Sequence, residues 1–297
     1  MDVTAPGGSS RIVRAVRETV QRESAKKNLD LPMLPRAAAL VMGEVREPSC
    51  NAARLSEIIE KDPVLTARIL KTANSAYFAG ISEITSLPLA VGRLGSSMVV
   101  AVTMGSVSKD VFRAADEECT RLLERSWERS VTAAAAALRM ASAVGMNPDE
   151  CFTIGLLHSI GEPVLVAVYA EALAAGDVPH ASAGELAQAI HPLAPFVGGR
   201  LLEEWGLPAL VYEAVRHQRA PEQAPQIATD AAAVCGLAAQ LAERAVAGAS
   251  AEETIDMLLA TRACALVKVA RNYLAEIVDS IGEDAREFGG VFGSASA

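Results

Sequence analysis

Apolar residues recur at intervals of three and four along most of the chain, which is the spacing of one face of an α-helix. The pattern is clear from Leu65 onward. Asp62 can cap the first-turn amides, and Pro63 suits the first helical position because proline has no amide proton. Gly80 is the predicted stop. We therefore predict an amphipathic helix over residues 63–79.

Four polar residues of this helix are candidates for a specific role. Asn74 and Ser75 lie in its last turns, where an amide side chain gains nothing from helix propensity and needs partners if it is buried. Arg68 and Lys71 lie on the side away from the apolar face. The structural interpretation gives the segment a role in folding alone. The functional interpretation adds that Arg68 and Lys71 contact a partner protein.

The same periodicity, interrupted by glycine and proline, predicts helices in most of the remaining chain. Hydrophobic residues make up 51% of the sequence but aromatic residues only 4%, and abundant alanine and leucine favour helix over sheet. We therefore predict an all-α fold. The other predicted helices cover residues 11–27, 35–47, 51–61, 86–94, 96–112, 116–145, 182–205, 208–217, 226–247 and 252–283, and one more begins at Asn147 and Pro148.

The two ends of the chain differ from its middle. Residues 1–10 are predicted to be loose, and residues 11–27 form a basic amphipathic helix that either docks on the core or lies on a membrane surface. Its narrow apolar face without aromatic residues favours docking. The helix over residues 252–283 either packs on the core or forms the seam of a homodimer. Residues 285–297, rich in glycine, serine and alanine, are predicted to be a loose tail.

Composition narrows the classes of protein that remain. No apolar run reaches the roughly 18 residues of a membrane-spanning helix, and the N-terminus has no apolar signal core, which predicts a soluble cytoplasmic protein without membrane insertion. The five cysteines lack CxxC spacing, so we expect buried reduced thiols. Residues 1–113 carry a net charge of +4 and residues 114–297 a net charge of −13, which makes nucleic-acid binding a poor interpretation.

Five phrases in the sequence occur in a recognisable order and spacing. They are LPMLP at residues 31–35, the segment from Asp62 to Ser75, VGRLG at 91–95, FTIGLLHSIGE at 152–162 and GGRLLEEWGLP at 198–208. Together they resemble the HDOD domain, a bacterial signalling module related to the HD phosphohydrolases, over roughly residues 30–245. The residues that carry the resemblance are Asp62, Pro63, Leu65, Asn74, Ser75, Gly95, Gly155, His158, Gly161, Trp205 and Pro208.

The resemblance implies a division of the chain. An N-terminal helical lobe would cover residues 28–113, and it would pack on a degenerate HD-like helical lobe over residues 114–247. Residues 1–27 would form a tail and the basic helix, and residues 248–297 a C-terminal helix followed by the loose tail.

The resemblance also locates a candidate site. HD enzymes hold one or two divalent metals with a histidine, an adjacent His-Asp pair and a later aspartate, and the metal activates a water molecule. The first position falls on Arg129, or on Ser130 if the alignment shifts by one residue. His158 matches the paired histidine, but Ser159 replaces the aspartate, and the later aspartate falls near Ala239. We therefore expect no catalytic residue, no bound metal and no cofactor.

Three interpretations of His158 remain open. It is a hydrogen-bonded core histidine, a member of a degenerate pocket with Arg129, Ser159 and His217 that binds an anion or nucleotide, or a metal ligand. Glu162 follows His158 by four residues and Asp230 is a further carboxylate, but neither rebuilds a metal site without the right geometry. Three histidines are predicted to be surface or loop residues and not ligands: His180, His191 and His217.

The resemblance predicts a non-enzymatic module of bacterial signal transduction that acts through contacts with other signalling proteins. The first alternative is a metal-dependent phosphohydrolase or cyclic-nucleotide phosphodiesterase, which the serine at position 159 disfavours. The second is a nucleotide-sensing or nucleic-acid-binding module.

Overall fold

The computed structural model describes residues 6–25, 31–78, 83–111 and 116–292, and this part of the chain is helical without any strand. The predicted all-α fold is confirmed. Two short 3-10 helices, Pro221–Gln223 and Gln226–Ala228, precede the twelfth helix. The α-helices are α1 (Pro6–Ser24), α2 (Arg36–Arg46), α3 (Ala52–Ile59), α4 (Pro63–Ala73), α5 (Leu87–Val111), α6 (Glu117–Val144), α7 (Pro148–Leu157), α8 (Gly161–Ala175), α9 (Ala183–Ile190), α10 (Ala194–Glu204), α11 (Ala209–His217), α12 (Thr229–Val246), α13 (Ala251–Leu259), α14 (Arg262–Val267) and α15 (Arg271–Phe292).

Helix α6 is the central element of the fold. Its alanine run at residues 133–137 is fully buried, and α7, α12 and α15 pack around it. Small residues on both sides let α6 and α7 approach closely: a Cβ atom on Gly155 would lie 2.4 Å from the carbonyl oxygen of Ala133. A Cβ on Gly161 would meet the carbonyl oxygen of Ala194 at 2.2 Å, so α8 and α10 approach in the same way. These two glycines of the resemblance therefore fix how tightly the helices pack.

Helices α2, α3 and α4 pack against α5, and α5 in turn packs against α7. The sequence predicted two helices, at residues 86–94 and 96–112, where α5 runs from Leu87 to Val111. Gly95 separates them as predicted, because its φ of 72° breaks the helical path and turns the chain. The bend lets the two halves of α5 face different neighbours.

The start of α4 agrees with the sequence, but its end does not. Asp62 Oδ1 accepts hydrogen bonds from the backbone amides of Val64 and Leu65, both at 3.0 Å, which is the predicted cap. The helix ends at Ala73 and not near Gly80. The reason is Asn74, whose side-chain amide donates to the carbonyl oxygen of Ile84 at 2.7 Å and accepts from its amide at 2.8 Å. This pair of bonds replaces further helical turns and supplies the predicted partners.

The basic N-terminal helix is docked on the protein. Val16 and Val20 are fully buried where α1 packs on α8 and α9, and the Arg17 side chain donates to the carbonyl oxygen of Gln188 at the end of α9. A cation at a helix C-terminus is favourable because that end carries partial negative charge. Helix α1 begins at Pro6, inside the segment predicted to be loose, whereas residues 1–5 and 26–30 lie outside the described residues.

The C-terminal region differs from the prediction of one helix over residues 252–283. Three helices occupy it, because Thr261 caps α14 and Lys268, with a φ of 57°, ends it in the left-handed conformation. Helix α15 then continues to Phe292, through most of the segment predicted to be a loose tail, while residues 293–297 lie outside the described part. Its apolar stripe, including Leu274 and Ile277, is buried within this chain. These residues pack on the core, and the homodimer seam stays a prediction.

Two helical stretches, Leu87–Val107 and Pro148–Ala175, are long and apolar enough by composition to cross a membrane, although the sequence predicted none. They are 56% and 94% buried inside the fold, respectively. The first bends at Gly95, and the second contains the break between α7 and α8. Such burial is typical of core helices in a soluble protein.

The five cysteines are free thiols, and four of them are buried, as predicted; Cys50 is half-buried. Burial, as the largest cause, raises the pKa of Cys119 and Cys151 to about 12. These thiols are therefore protonated and unreactive at neutral pH.

We predict that Asp62→Ala lowers the free energy of unfolding by about 1 kcal/mol through loss of the α4 cap. Asn74→Ala should cost more, about 1–3 kcal/mol, because it leaves the amide and carbonyl of Ile84 without their partner. Urea denaturation followed by circular dichroism measures both. Equal or smaller losses for Asn74→Ala would show that water replaces the two bonds without cost.

Candidate functional site

A cavity of about 510 Å³ opens in the lobe built on α6, at the turn that joins α7 to α8. Helices α6, α8 and α12 form its walls, and the links between α9 and α10 and after α11 close it. Its polar lining residues are Arg129, His158, Glu162, His191, Gln218, Arg219, Gln240 and Glu243. The alignment position Ala239 lines it as well.

Gln218 holds two walls of the cavity together. Its side-chain amide donates to the carbonyl oxygen of His158 at 2.8 Å and to that of Val215 at 3.0 Å. Helix α12 comes equally close from the other side, because a Cβ on Gly236 would lie 2.1 Å from the carbonyl oxygen of Gln218. The end of α11 is therefore fixed to the α7–α8 turn and to α12.

His158 is a neutral, buried histidine. It lies at the C-terminal end of α7, and its ring Nδ1 is 2.8 Å from the carbonyl oxygen of Gly155. Since a carbonyl only accepts, Nδ1 carries the proton and Nε2 keeps a lone pair. Burial, as the largest cause, lowers the pKa of His158 to about 4, and the nearby Arg129 cation acts in the same direction. The ring is therefore uncharged at neutral pH.

The centre of the cavity wall is an ion pair between Arg129 and Glu162. Arg129 Nη2 donates to Glu162 Oε2 at 2.8 Å and to Oε1 at 2.9 Å, and the two side chains are 8% and 7% exposed. Arg129 Nε also lies 3.2 Å from Glu243 Oε2 on α12. One guanidinium thus pairs with carboxylates from two other helices.

His191 completes this cluster. Its Nε2 lies 3.3 Å from Arg129 Nη2 and 3.5 Å from Glu162 Oε1. Burial lowers the pKa of His191, against the opposing effect of Glu162, so the neutral ring accepts from Arg129. Burial by itself would raise the pKa of Glu162, but the Arg129 cation holds it below its ordinary value. Glu162 therefore remains an anion inside the protein.

Ser159 is buried and does not line the cavity. Its hydroxyl lies 2.6 Å from the hydroxyl of Ser130 and accepts from that of Ser126 at 3.1 Å. The two alignments of the sequence are thus distinguished: Arg129 lines the cavity, and Ser130 belongs to the serine cluster behind it. The Ser159 hydroxyl is therefore hydrogen-bonded to the hydroxyls of neighbouring serines.

The residues present do not fit the metal centre of an HD enzyme. Both oxygens of Glu162 are hydrogen-bonded to a guanidinium, Ser159 lies outside the cavity lining with other serine hydroxyls, and Ala239 offers no ligand. Across residues 6–25, 31–78, 83–111 and 116–292, no three His, Cys, Asp or Glu side chains are grouped so that they could hold a metal ion. A divalent cation prefers several free carboxylates, and here a cation of the chain already occupies them.

The structure separates some predicted site residues and adds others. His217 does not line the cavity but lies 3.2 Å from Glu213 on its own helix, so its inclusion in the pocket is wrong. His191, predicted to be a surface or loop residue, is a cavity residue with 23% exposure. Glu243 was not predicted, although it follows Ala239 by four residues and so shares its helical face. This spacing from Ala239 was the signal in the sequence that could have identified Glu243.

Other residues of the resemblance have structural roles. Trp205 Nε1 donates to the carbonyl oxygen of Pro32 at 2.8 Å, which joins two of the sequence phrases across the fold. Pro208 precedes α11 as its cap residue. Lys71, predicted to contact a partner, donates to the carbonyl oxygen of Gly290 on α15, and Arg68 beside it is half-buried with interactions of its own.

A family model described as the HDOD domain matches residues 31–221. This chain belongs to the HDOD domain family. The resemblance read from the five phrases is confirmed, and the matched range contains the cavity residues on α6 and α8 but ends before α12 and α15. A curated relative from Treponema pallidum (strain Nichols), an uncharacterised protein, is 26% identical over 207 residues. That match covers 66% of this chain, and it spans 39% of the length of the relative.

Solved structures share the HDOD architecture. An HDOD domain protein of unknown function from Geobacter sulfurreducens is 18% identical with a TM-score of 0.66, covering 95% of this chain and 98% of that one. A Shewanella amazonensis SB2B protein, provisionally named a phosphohydrolase, is 24% identical with a TM-score of 0.65, covering 94% and 98%. A Marinobacter aquaeolei VT8 protein, provisionally named a signal transduction protein, is 21% identical with a TM-score of 0.63, covering 97% and 66%. At these identities the likeness shows the fold alone.

We predict that Arg129→Met lowers the free energy of unfolding by about 3–5 kcal/mol, because it leaves the Glu162 carboxylate buried without its cation. The double variant Arg129→Met, Glu162→Met should recover most of this loss, since both charges are then removed together. Arg121→Met, at an exposed ion pair, is the control and should change stability little. Denaturant titrations at pH 7 measure all three. A single variant as stable as the double variant would show that water reaches Glu162.

We predict that stability falls as the pH is lowered from about 6.5 to about 4, the interval between the ordinary pKa of histidine and that of buried His158. In this window the His158 imidazole is protonated in the unfolded chain but stays neutral in the folded protein, so lowering the pH favours unfolding. His158→Gln does not titrate and should show a shallower dependence over the same window. Glu162 and His191 also contribute to acid sensitivity, and both remain in the His158→Gln protein. If the free energies of unfolding of the two proteins fell equally with pH, the assignment of this pH dependence to His158 would be contradicted.

Proposed function

We propose that this chain is a non-catalytic HDOD module of bacterial signal transduction, which passes on a regulatory input through contacts with other proteins in the cytoplasm. The observation that carries the proposal is the Arg129–Glu162 ion pair in the cavity of the HD-like lobe. An HD enzyme needs that space for its metal ions.

Hydrolysis of a phosphoester by an HD enzyme requires a metal that activates water and neutralises the developing charge. Here the cavity offers a neutral His158, a carboxylate that a guanidinium already neutralises, and an alanine at the remaining position. Replacing the guanidinium by a metal would leave a buried arginine without its partner, which is costly. The ligand set therefore supports a binding or structural role for this lobe.

The cavity gives little support to an anionic ligand. Its charged lining residues are two cations, Arg129 and Arg219, and two anions, Glu162 and Glu243. Because His158 and His191 are neutral, the formal charges of the lining sum to zero. Arg129 was the predicted counter-charge for an anion, but it is engaged by both carboxylates. A phosphate-binding pocket needs unengaged cations or amides. Nucleotide or nucleic-acid recognition is accordingly the weaker interpretation.

We predict that the purified protein contains no stoichiometric divalent metal and does not hydrolyse phosphoesters. Elemental analysis measures the first. Assays with manganese and three substrates, p-nitrophenyl phosphate, bis-p-nitrophenyl phosphate and cyclic di-GMP, measure the second. Ser159→Asp alone should not create activity, because Arg129 and Ala239 still supply no ligand.

A bound metal, or turnover that is lost in His158→Ala and kept in His217→Ala, would contradict the proposal. The second variant is a matched control, since His217 lies outside the cavity lining. An active HD phosphohydrolase assayed in parallel establishes that the substrates and the metal suffice.

A further inference from the structure

His158 is buried, but only one of its two ring nitrogens has a partner in the protein. Nδ1 bonds to the carbonyl oxygen of Gly155, and no described residue forms a hydrogen bond with Nε2. His158 is 7% exposed and lines the cavity, and Nε2 is not one of the unpaired atoms that are closed off from solvent. Nε2 therefore opens into the cavity, where it can only accept a hydrogen bond. An O–H or N–H group of a ligand would satisfy it, and buried polar atoms are rarely left unpaired.

The other polar side chains of the lining offer a mixture of donors and acceptors. Arg129 uses Nη2 and Nε for its two carboxylates, which leaves the N–H groups of Nη1 without a partner among the described residues. Gln240 donates to the carbonyl oxygen of Gly236 at 3.1 Å, and its side-chain oxygen remains an acceptor. Arg219 and Glu243 are exposed lining residues, so they add a donor group and a carboxylate where the cavity meets solvent.

The charges of the lining disfavour a ligand with a net charge. Arg129, Arg219, Glu162 and Glu243 sum to zero, so the cavity offers no compensation for the desolvation of an added charge. At His158 the Arg129 cation acts more strongly than the Glu162 anion, which disfavours an ammonium group as the donor to Nε2. An ionised carboxylate has no proton to donate there. The donor is therefore an uncharged hydroxyl or N–H group.

The apolar part of the lining is small and aliphatic. It consists of Ala194, Pro195, Gly236 and Ala239, and no Phe, Tyr or Trp occurs among the described residues that line the cavity. A nucleobase or another flat aromatic ligand thus finds no ring on which to stack. The volume of about 510 Å³ lies within the range of about 300–1,000 Å³ that is typical of small-molecule sites.

We propose that this cavity binds an uncharged polyhydroxyl compound of about the size of a monosaccharide, and that this compound is the input of the signalling module. A hydroxyl group both donates and accepts, so one such group can donate to His158 Nε2 while it accepts from Arg129. Neighbouring hydroxyls then have Gln240 and Glu243 as partners on α12. This inference rests on the proposed function, because a metal ion in the cavity would take the lone pair of Nε2.

The test uses the full chain with nitrogen-15 in its histidine rings. The chain has four histidines, and the nitrogen-15 frequency of an unprotonated ring nitrogen falls when that nitrogen accepts a hydrogen bond. Titration with D-glucose or myo-inositol should lower the frequency of His158 Nε2 along a saturable curve. The ring of His217, which lies outside the cavity lining, should not respond and is the internal control.

Three further probes test the chemistry of the site. D-glucuronate and D-glucosamine keep the sugar ring but add one negative or one positive charge, at a pH where the amine is protonated, and adenosine adds a base. All three should bind more weakly than the uncharged sugars. Tighter binding of D-glucuronate would assign the cavity to an anion, and tighter binding of adenosine would assign it to a nucleoside; either result would overturn the proposal.

A matched pair of variants tests the location. Ala239→Leu extends a side chain into the cavity and should weaken sugar binding by about ten-fold or more, because pockets reject added methyl groups by such factors. Ala245→Leu makes the same change at an exposed position of α12 outside the lining and should bind like the natural sequence. Equal binding by both variants would place the sugar elsewhere and overturn the assignment.

The histidine spectrum of the natural sequence decides the proposal even if Ala239→Leu fails to fold. The absence of a saturable response of His158 Nε2 to both D-glucose and myo-inositol would overturn it. The metal and turnover assays contain no sugar, so that result leaves the non-catalytic assignment standing. Failure of the proposed function is separately visible, because elemental analysis detects a bound metal in protein to which no probe has been added.

Discussion

Glu162 is an ionised carboxylate with 7% of its side chain exposed, and the fold must supply a cation next to it. A buried carboxylate without a partner costs several kcal/mol, so few arrangements of the surrounding helices are stable. Arg129 supplies that cation from α6, and α6 must therefore present this residue to α8. Glu243 of α12, whose side chain is 57% exposed, contacts the same guanidinium. The charge requirement of one side chain thus connects three helices of the HD-like lobe.

The close contacts of the backbone make this arrangement possible. Gly155 lets α7 lie directly on the alanine run of α6, and Gly236 lets α12 approach Gln218. Replacing either glycine by a larger residue would force the neighbouring backbone to shift, because the added Cβ would lie within 2.5 Å of a carbonyl oxygen. The ion pair and the close packing therefore depend on each other. The pair fixes which faces meet, and the glycines fix how near they come.

The sequence predicted the parts of the fold that local chemistry determines. Asp62 and Pro63 begin α4 and Asn147 and Pro148 begin α7, because capping and proline geometry act within one turn. It did not predict the end of α4, since Asn74 bonds to Ile84, ten residues away. The three helices after residue 250 were predicted as one, because a continuous apolar stripe hides a cap at Thr261. Long-range partners decide such boundaries.

Even less of the candidate site than of the fold could be predicted from local sequence. His158 could be placed by its position in a family phrase and Arg129 by the position of the first histidine of the HD enzymes, but His191 and Glu243 have no such signal and reach the cavity only through tertiary packing. Their presence changes the chemistry, since Glu162 and Glu243 both pair with Arg129, and with Arg219 the formal charges of the cavity sum to zero. A metal ion would make the charge balance depend on metal supply and on deprotonated ligands. A guanidinium stays charged at every physiological pH, so the balance of this cavity is fixed by the chain itself.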